Sequence, residues 1–287
     1  SAGSASATAA GLVGFSLGTE TWGSIVSPST RCRVSGLRPT FGRVSRYGAM
    51  ALSWSMDKIG PICRTAAGCA AVFNEINGGD VKDRSTRDVP FQYQGTTELS
   101  DLKIGYLKNV FEGDSARAGI YDEVLSAIRD QGVRLEPLEL PDFPVYSLTE
   151  ILNAEAGAAF DLLTRSNRDD LLRRQSRGAW PNILREARFI PAVEYIQSNR
   201  ARTLLMEKMA DTMQDIDLFI TPSFGGGQLL MTNLTGHPAV VVPVGTDGEG
   251  RPVSITFVGR LYEDGDILEA ATAFQRVTDY HRKHPGF

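Results

Sequence analysis

Hydrophobic and polar positions divide this chain near residue 100. Before that point apolar residues come in short groups broken by glycine, so the segment reads as irregular and loop-heavy. Ala2–Ala10 holds only small residues, as suits a helix packed closely on other backbone. Phe15–Leu17 is a short strand candidate, and Gly18–Gly23 reads as a turn or loop. Thr65–Asn77 predicts a helix with Thr65 as N-cap and Gly78 just past its end. Beyond residue 100 the pattern is regular. Lys103–Leu107 predicts a strand. Ser115–Gln131 predicts a helix, with Ile120, Val124 and Ile128 at spacing four and Gly132 closing it. Val133–Leu138 predicts a second strand. Ser147 and Glu150 have capping-box spacing before an Ala/Leu-rich helix, and Pro191 opens a long helix to about Gln214. Leu218–Thr221, Ala239–Val244 and Val253–Val258 are apolar and β-branched, as strands covered on both faces are. Asp266 with Glu269 predicts the start of a last helix carrying Leu268, Ala271 and Phe274.

A strand–helix–strand run of this kind predicts an α/β fold. Pro137–Pro144 is the best linker candidate, yet helices and strands continue on both sides of it. The expectation is one α/β domain over residues 1–287, a mixed central sheet with helices on both faces, carrying a helical insertion at about 145–214.

Composition narrows the function. The 287 residues are 42% hydrophobic and 22% charged, values of an ordinary globular protein. Thirty Lys+Arg against 34 Asp+Glu leave a net charge of −4, which argues against generic nucleic-acid binding. No run of about 18 apolar residues exists, so no membrane-spanning helix is expected. Cys32, Cys63 and Cys69 are an odd, sparse set that reads as reduced thiols, most simply buried, and the cytoplasm is the expected compartment. Neither they nor His237, His281 and His284 have zinc-site spacing; no metal and no cofactor are expected. Gly225-Gly226-Gly227 lacks a following Lys-Ser/Thr, so it reads as a flexible loop, not a phosphate loop. Arg165, Arg168, Arg173, Arg174, Arg177, Arg185 and Arg188, interleaved with Asp169, Asp170 and Glu186, read as a solvated helical face, with an anionic-substrate or tRNA contact as the alternative.

The densest chemical signal is Gly18-Thr19-Glu20-Thr21-Trp22-Gly23-Ser24. Such a loop can turn consecutive backbone N–H groups toward one point, since glycine tolerates positive φ and admits a ligand close to the backbone. Ser24 at its end can then attack a carbonyl while the amides hold the oxyanion. A tight turn with Ser24 as a cap is the plainer reading. A nucleophilic serine needs a base. His281 and His284 lie in the last seven residues, and His237 reads as a loop imidazole bonded to backbone. A lysine with a lowered pKa is the other common base.

Three blocks in the first 71 residues resemble the amidase signature family: Ser1-Ala2-Gly3-Ser4 with the small-residue stretch after it, Gly18–Ile25, and Cys32 through Gly36–Gly48 to Asp57-Lys58-Ile59-Gly60-Pro61. Asp217–Ser223 and Asn233–Ala239 are similar to the family's C-terminal strand motifs. The resemblance implies a Ser–cis-Ser–Lys amidohydrolase. Ser24 falls on the nucleophile, and the backbone amides of Thr21, Trp22, Gly23 and Ser24 fall on the oxyanion hole. The bridging serine falls one residue before Ser1 and the lysine further upstream, so Ser1 falls where it can help orient that lysine. None of Lys58, Lys82, Lys103, Lys108, Lys208 and Lys283 is expected to replace it, and the chain reads as the larger C-terminal part of an amidase. Glu20 stands where the family has Asp, Trp22 where a small residue is usual, and Val26 where Arg is frequent. These departures weaken assignment to the glutamyl-tRNA amidotransferase branch.

The implied substrate is a small-molecule amide, cleaved through a serine acyl-enzyme, with no nucleic-acid or membrane partner and with a homodimer as a compatible assembly. Phe160, Trp180, Phe189 and Tyr195 of the helical region are expected to shape the acyl pocket. Two other readings stand beside this one: an N-terminal-nucleophile hydrolase using Ser1, and a non-catalytic remnant or partner subunit.

Overall fold

Eight strands form one mixed sheet in the computed structural model, which describes residues 1–283. They are β1 (Ser16–Glu20), β2 (Ser35–Arg38), β3 (Lys58–Cys63), β4 (Ile104–Tyr106), β5 (Glu136–Pro137), β6 (Leu218–Pro222), β7 (Ala239–Thr246) and β8 (Pro252–Gly259). Their order is β1-β3-β2-β7-β8-β6-β4-β5. Every pairing from β1 through to β6 is antiparallel, while β4 runs parallel to both β6 and β5.

The period of two along the central strands sends alternate side chains to opposite faces. Val240, Val242, Ile255, Phe257 and Ile220 pack with helices Ala66–Ile76, Ala118–Arg129 and Asp264–Val277. Ala239, Val258 and Phe219 pack with helices Thr149–Ala159, Ala192–Thr212 and Gln228–Leu234. Each fully buried aliphatic or aromatic side chain contributes roughly 1.5–3 kcal/mol relative to exposure. Both faces are thus covered, and one sheet runs through the chain. Pro137–Pro144 is a surface connection, not a boundary. Among the described residues no helix is long and apolar enough to cross a membrane.

Several local expectations hold. Thr65 caps its helix by accepting the Gly68 N–H at 2.9 Å. Pro191 precedes the helix Ala192–Thr212, and β6, β7 and β8 are buried along nearly their whole length.

Others are corrected. Gly18–Glu20 is not a turn: it is the second half of β1, paired with β3 so that Gly18 faces Gly60 and Glu20 faces Lys58. A Cβ on Gly60 would lie 2.0 Å from the Leu37 carbonyl oxygen, so this glycine marks a close crossing of strands and not a bend. The strand expected over Val133–Leu138 shrinks to Glu136–Pro137, an exposed edge where proline cannot donate to a ladder. The Ser147/Glu150 capping box does not form, because Val145–Leu148 is a 3-10 turn and the helix begins after it without a side-chain cap. The last helix starts at Asp264, two residues before the expected cap. Its carboxylates serve neighbouring loops instead: Asp264 accepts the Thr40 N–H and hydroxyl at 2.8 Å each, and Glu269 accepts the Gln94 and Gly95 N–H groups.

Candidate active site

β1 delivers the chain to Thr21, and the helix Val26–Cys32 begins directly after Ile25. The intervening loop is clamped at both ends. Glu20, fully buried, accepts the Ile25 and Val26 N–H groups on Oε2 at 2.8 and 2.9 Å. Its Oε1 accepts from Arg38 at 3.0 Å and from Asn233 at 2.8 Å. The Glu20 side chain thus spans two amides at a helix start. Burial alone raises the Glu20 carboxyl, but the Arg38 charge and the Val26 N–H outweigh it and hold it below the usual range. At the other end Thr21 donates its hydroxyl to Asp57 Oδ1 at 2.5 Å, while Asp57 Oδ2 accepts the Leu52 and Ser53 N–H groups.

Between the clamps Gly23 takes φ +94°, and the N–H groups of Thr21, Trp22, Gly23 and Ser24 have no protein acceptor among the described residues. Four unpartnered donors in one bend are costly unless water or a ligand takes them. Ser24 is exposed and opens on a cavity of about 340 Å³, lined also by Thr19, Thr21, Arg46, Trp54 and Lys58. Trp22, 40% exposed, leans toward Tyr146 with ring centroids 6.2 Å apart; Tyr146 belongs to a neighbouring cavity of about 520 Å³. Ser1 is held against β1: its Oγ donates to the Thr19 carbonyl at 3.1 Å and accepts the Thr19 N–H at 3.0 Å. The structure therefore brings Ser1, the four amides and Ser24 to one end of β1.

Lys58, not expected as the base, is buried at the site. It is 2% exposed and lines the Ser24 cavity. Among the described residues its Nζ donates one hydrogen bond, 3.4 Å to the Asn233 carbonyl. Burial, reinforced by the Arg38 charge, brings its pKa down to about 7. The available signal was a lysine opening a run, Lys58–Cys63, that is otherwise apolar or glycine. His237 is structural. It is buried, its Nδ1 pairs with the Thr235 hydroxyl at 2.7 Å, and its carbonyl accepts from Arg38. Burial and then Arg38 lower its pKa to about 4. His284 lies outside the described residues.

Of the four aromatics expected at an acyl pocket, Tyr195 lines a cavity of about 480 Å³ that Trp54 also borders. Trp180 lies against a different hollow with Leu172 and Arg173, and Phe189 is 85% exposed. In the arginine cluster Arg185 pairs with Asp169 and Asp170, and Arg165 and Arg188 pair with Asp161. Gly225–Gly227 all have positive φ and lead into the helix Gln228–Leu234. No group of three or more His, Cys, Asp or Glu among the described residues could hold a metal ion.

A family profile described as Amidase matches residues 1–230. The chain is 32% identical over 335 residues to the A subunit of the glutamyl-tRNA(Gln) amidotransferase of Roseiflexus sp. (strain RS-1), an alignment covering 99% of this chain and 67% of that one. Among solved structures it is similar to an amidase family protein from Bacillus anthracis str. Ames (TM-score 0.84, 27% identity, 99% of this chain and 61% of that one). It is also similar to the native peptide amidase of Stenotrophomonas maltophilia (TM-score 0.80, 27% identity, 99% and 65%). The chain thus spans about two-thirds of the length of such relatives.

Proposed function

The chain belongs to the amidase family, and from that membership we propose that it carries the nucleophile of an enzyme acting on amide C–N bonds by a serine acyl-enzyme. Ser24 Oγ attacks the amide carbonyl carbon and gives up its proton to a base. The carbonyl oxygen becomes an oxyanion held by the N–H groups of Thr21, Trp22, Gly23 and Ser24. Collapse expels ammonia or an amine, which takes a proton, and water then hydrolyses the ester. The observation that carries this reading is the coincidence of four acceptor-free amides with an exposed serine at a cavity. Donors fixed in place before reaction need no reorganisation, and losing one typically costs about 10²–10³ in rate.

The family resemblance supplies a bridging serine and a lysine N-terminal to Ser1 as the proton path, with Ser1 as an orienting hydroxyl in a single catalytic domain whose helical insertion spans about 145–214. One observation favours a second reading for the base. Lys58 lines the same cavity with a pKa of about 7, near the value at which a general base works best. The substrate is a small-molecule amide, and a homodimer is a compatible assembly. The Roseiflexus relative's name adds an alternative: transfer to a glutamyl-tRNA(Gln), with this chain as one of several subunits.

A fluorophosphonate probe on the full-length protein tests the mechanism. It labels Ser24, and Ser24→Ala abolishes labelling and lowers kcat by about 10⁴-fold or more. Full amidase activity in Ser24→Ala would rule the mechanism out. In the same assay Lys58→Met keeps most of the activity if the base lies upstream of Ser1. It matches Ser24→Ala if Lys58 is the base.

A further inference from the structure

The segment Leu52–Asp57 joins the nucleophile loop to the helical face. Asp57 holds Thr21 on one side and the Leu52 and Ser53 N–H groups on the other. Glu155, from the helix Thr149–Ala159, accepts the Ser53 hydroxyl at 2.5 Å and the Ser55 N–H at 3.0 Å on Oε2, and the Tyr195 hydroxyl at 2.8 Å on Oε1. Arg202 donates to the Ser55 hydroxyl at 2.7 Å, and Arg46 donates to the Trp54 carbonyl. These bonds hold the backbone of Trp54 and the residues flanking it. The indole itself is 50% exposed and has no hydrogen bond or ring partner among the described residues. It borders both the Ser24 cavity and the cavity that contains Ala158 and Tyr195.

Burying a carboxylate such as Glu155 is costly. Burial pushes its pKa up, and the Ser53 and Ser55 bonds more than offset that, leaving it below the usual range. This buried polar network holds the backbone that carries Trp54 at the edge of the Ser24 cavity. An indole on a fixed backbone, with only two side-chain torsions, offers a large apolar face beside a nucleophile at modest entropy cost. Resting on the reading of Ser24 as nucleophile, we infer that Trp54 is a specificity-determining residue that receives a planar, apolar acyl group of the amide substrate, and that Glu155 is its positioning residue. The substrate class is an amide whose carbonyl carries an aryl or arylmethyl group.

The test is binding without turnover. In full-length Ser24→Ala protein, calorimetric titration with phenylacetamide and with propionamide separates the aryl contact from recognition of the amide. Phenylacetamide binds tighter than propionamide. Adding Trp54→Ala weakens phenylacetamide about tenfold, equivalent to about 1.4 kcal/mol, and changes propionamide by less than about twofold. Trp54→Phe restores most of the loss. Glu155→Gln lies between, with the same selectivity for the aryl ligand, which a general loss of stability does not produce. Equal loss for both ligands, unchanged phenylacetamide affinity in Trp54→Ala, or no preference for phenylacetamide in the parent overturns the inference. Trp54→Ala and Trp54→Phe decide it even where Glu155→Gln does not fold. Absence of probe labelling at Ser24 with the aryl preference intact refutes the nucleophile and not Trp54.

Discussion

Gly23 shows how much the candidate site demands of single residues. Its φ of +94° lies where side chains are strained, and a Cβ there would approach Leu229 Cδ2 to 2.9 Å. Gly23→Ala is therefore expected to destabilise the protein by about 1–3 kcal/mol and to lower kcat/KM at least about tenfold, because the strain falls on the amides next to Ser24. Urea unfolding and steady-state kinetics on the same preparation check both numbers. This residue and Ser24 were legible in the sequence as candidates, through a glycine-bearing motif whose plainer reading was a tight turn. Lys58, Asp57 and Glu155 were not. Each is a charged residue whose importance comes from partners far along the chain: Asn233 for Lys58, Thr21 for Asp57, Ser53 and Tyr195 for Glu155. For Asp57 and Glu155 nothing local distinguishes such a charge from a solvated one, and for Lys58 the only local sign is the apolar run that follows it.

Elements meet at Glu20. One carboxylate ties the end of β1 to the start of helix Val26–Cys32, to Arg38 at the end of β2 and to Asn233 of helix Gln228–Leu234. Glu20→Gln keeps the shape and removes the charge, leaving the fully buried Arg38 without its counter-ion. The expected cost is about 3–5 kcal/mol, the usual result of breaking one half of a buried pair. A fall of that size in the unfolding free energy from urea titration checks it, and a fall below about 1 kcal/mol would show that the pair is dispensable. The helices with apolar spacing or a simple cap were read well, as Thr65 and Pro191 show. Of the glycine-bearing strands, β1 was expected only as far as Leu17, and β2 and β3 were not recognised. In them glycine permits backbone to approach backbone, and a sequence cannot tell that use from a turn.

At the scale of the whole molecule, two buried basic groups couple folding to pH. His237 is held near pKa 4 and Lys58 near 7, against ordinary values of 6.5 and 10.5. In each case the unfolded chain binds a proton that the folded chain does not, so stability rises with pH across the gap. The His237 contribution is complete above about 6.5 and lost as pH falls through about 4; that of Lys58 is complete above about 10.5 and absent below about 7. The melting temperature is expected to rise from pH 7 to pH 9 by at least about 2 °C, the effect of roughly 1 kcal/mol on a chain of this size. Lys58→Met should abolish that rise, and a flat profile in the parent protein would contradict it. The sequence alone determined the α/β class and the central strands, because periodicity needs no distant partner, and its dense glycine-bearing motif marked the candidate site. Only the tertiary structure decided which charges are buried and what faces Ser24. A buried lysine, a clamped loop and an indole held between two cavities arise from contacts between residues that the chain keeps far apart in sequence.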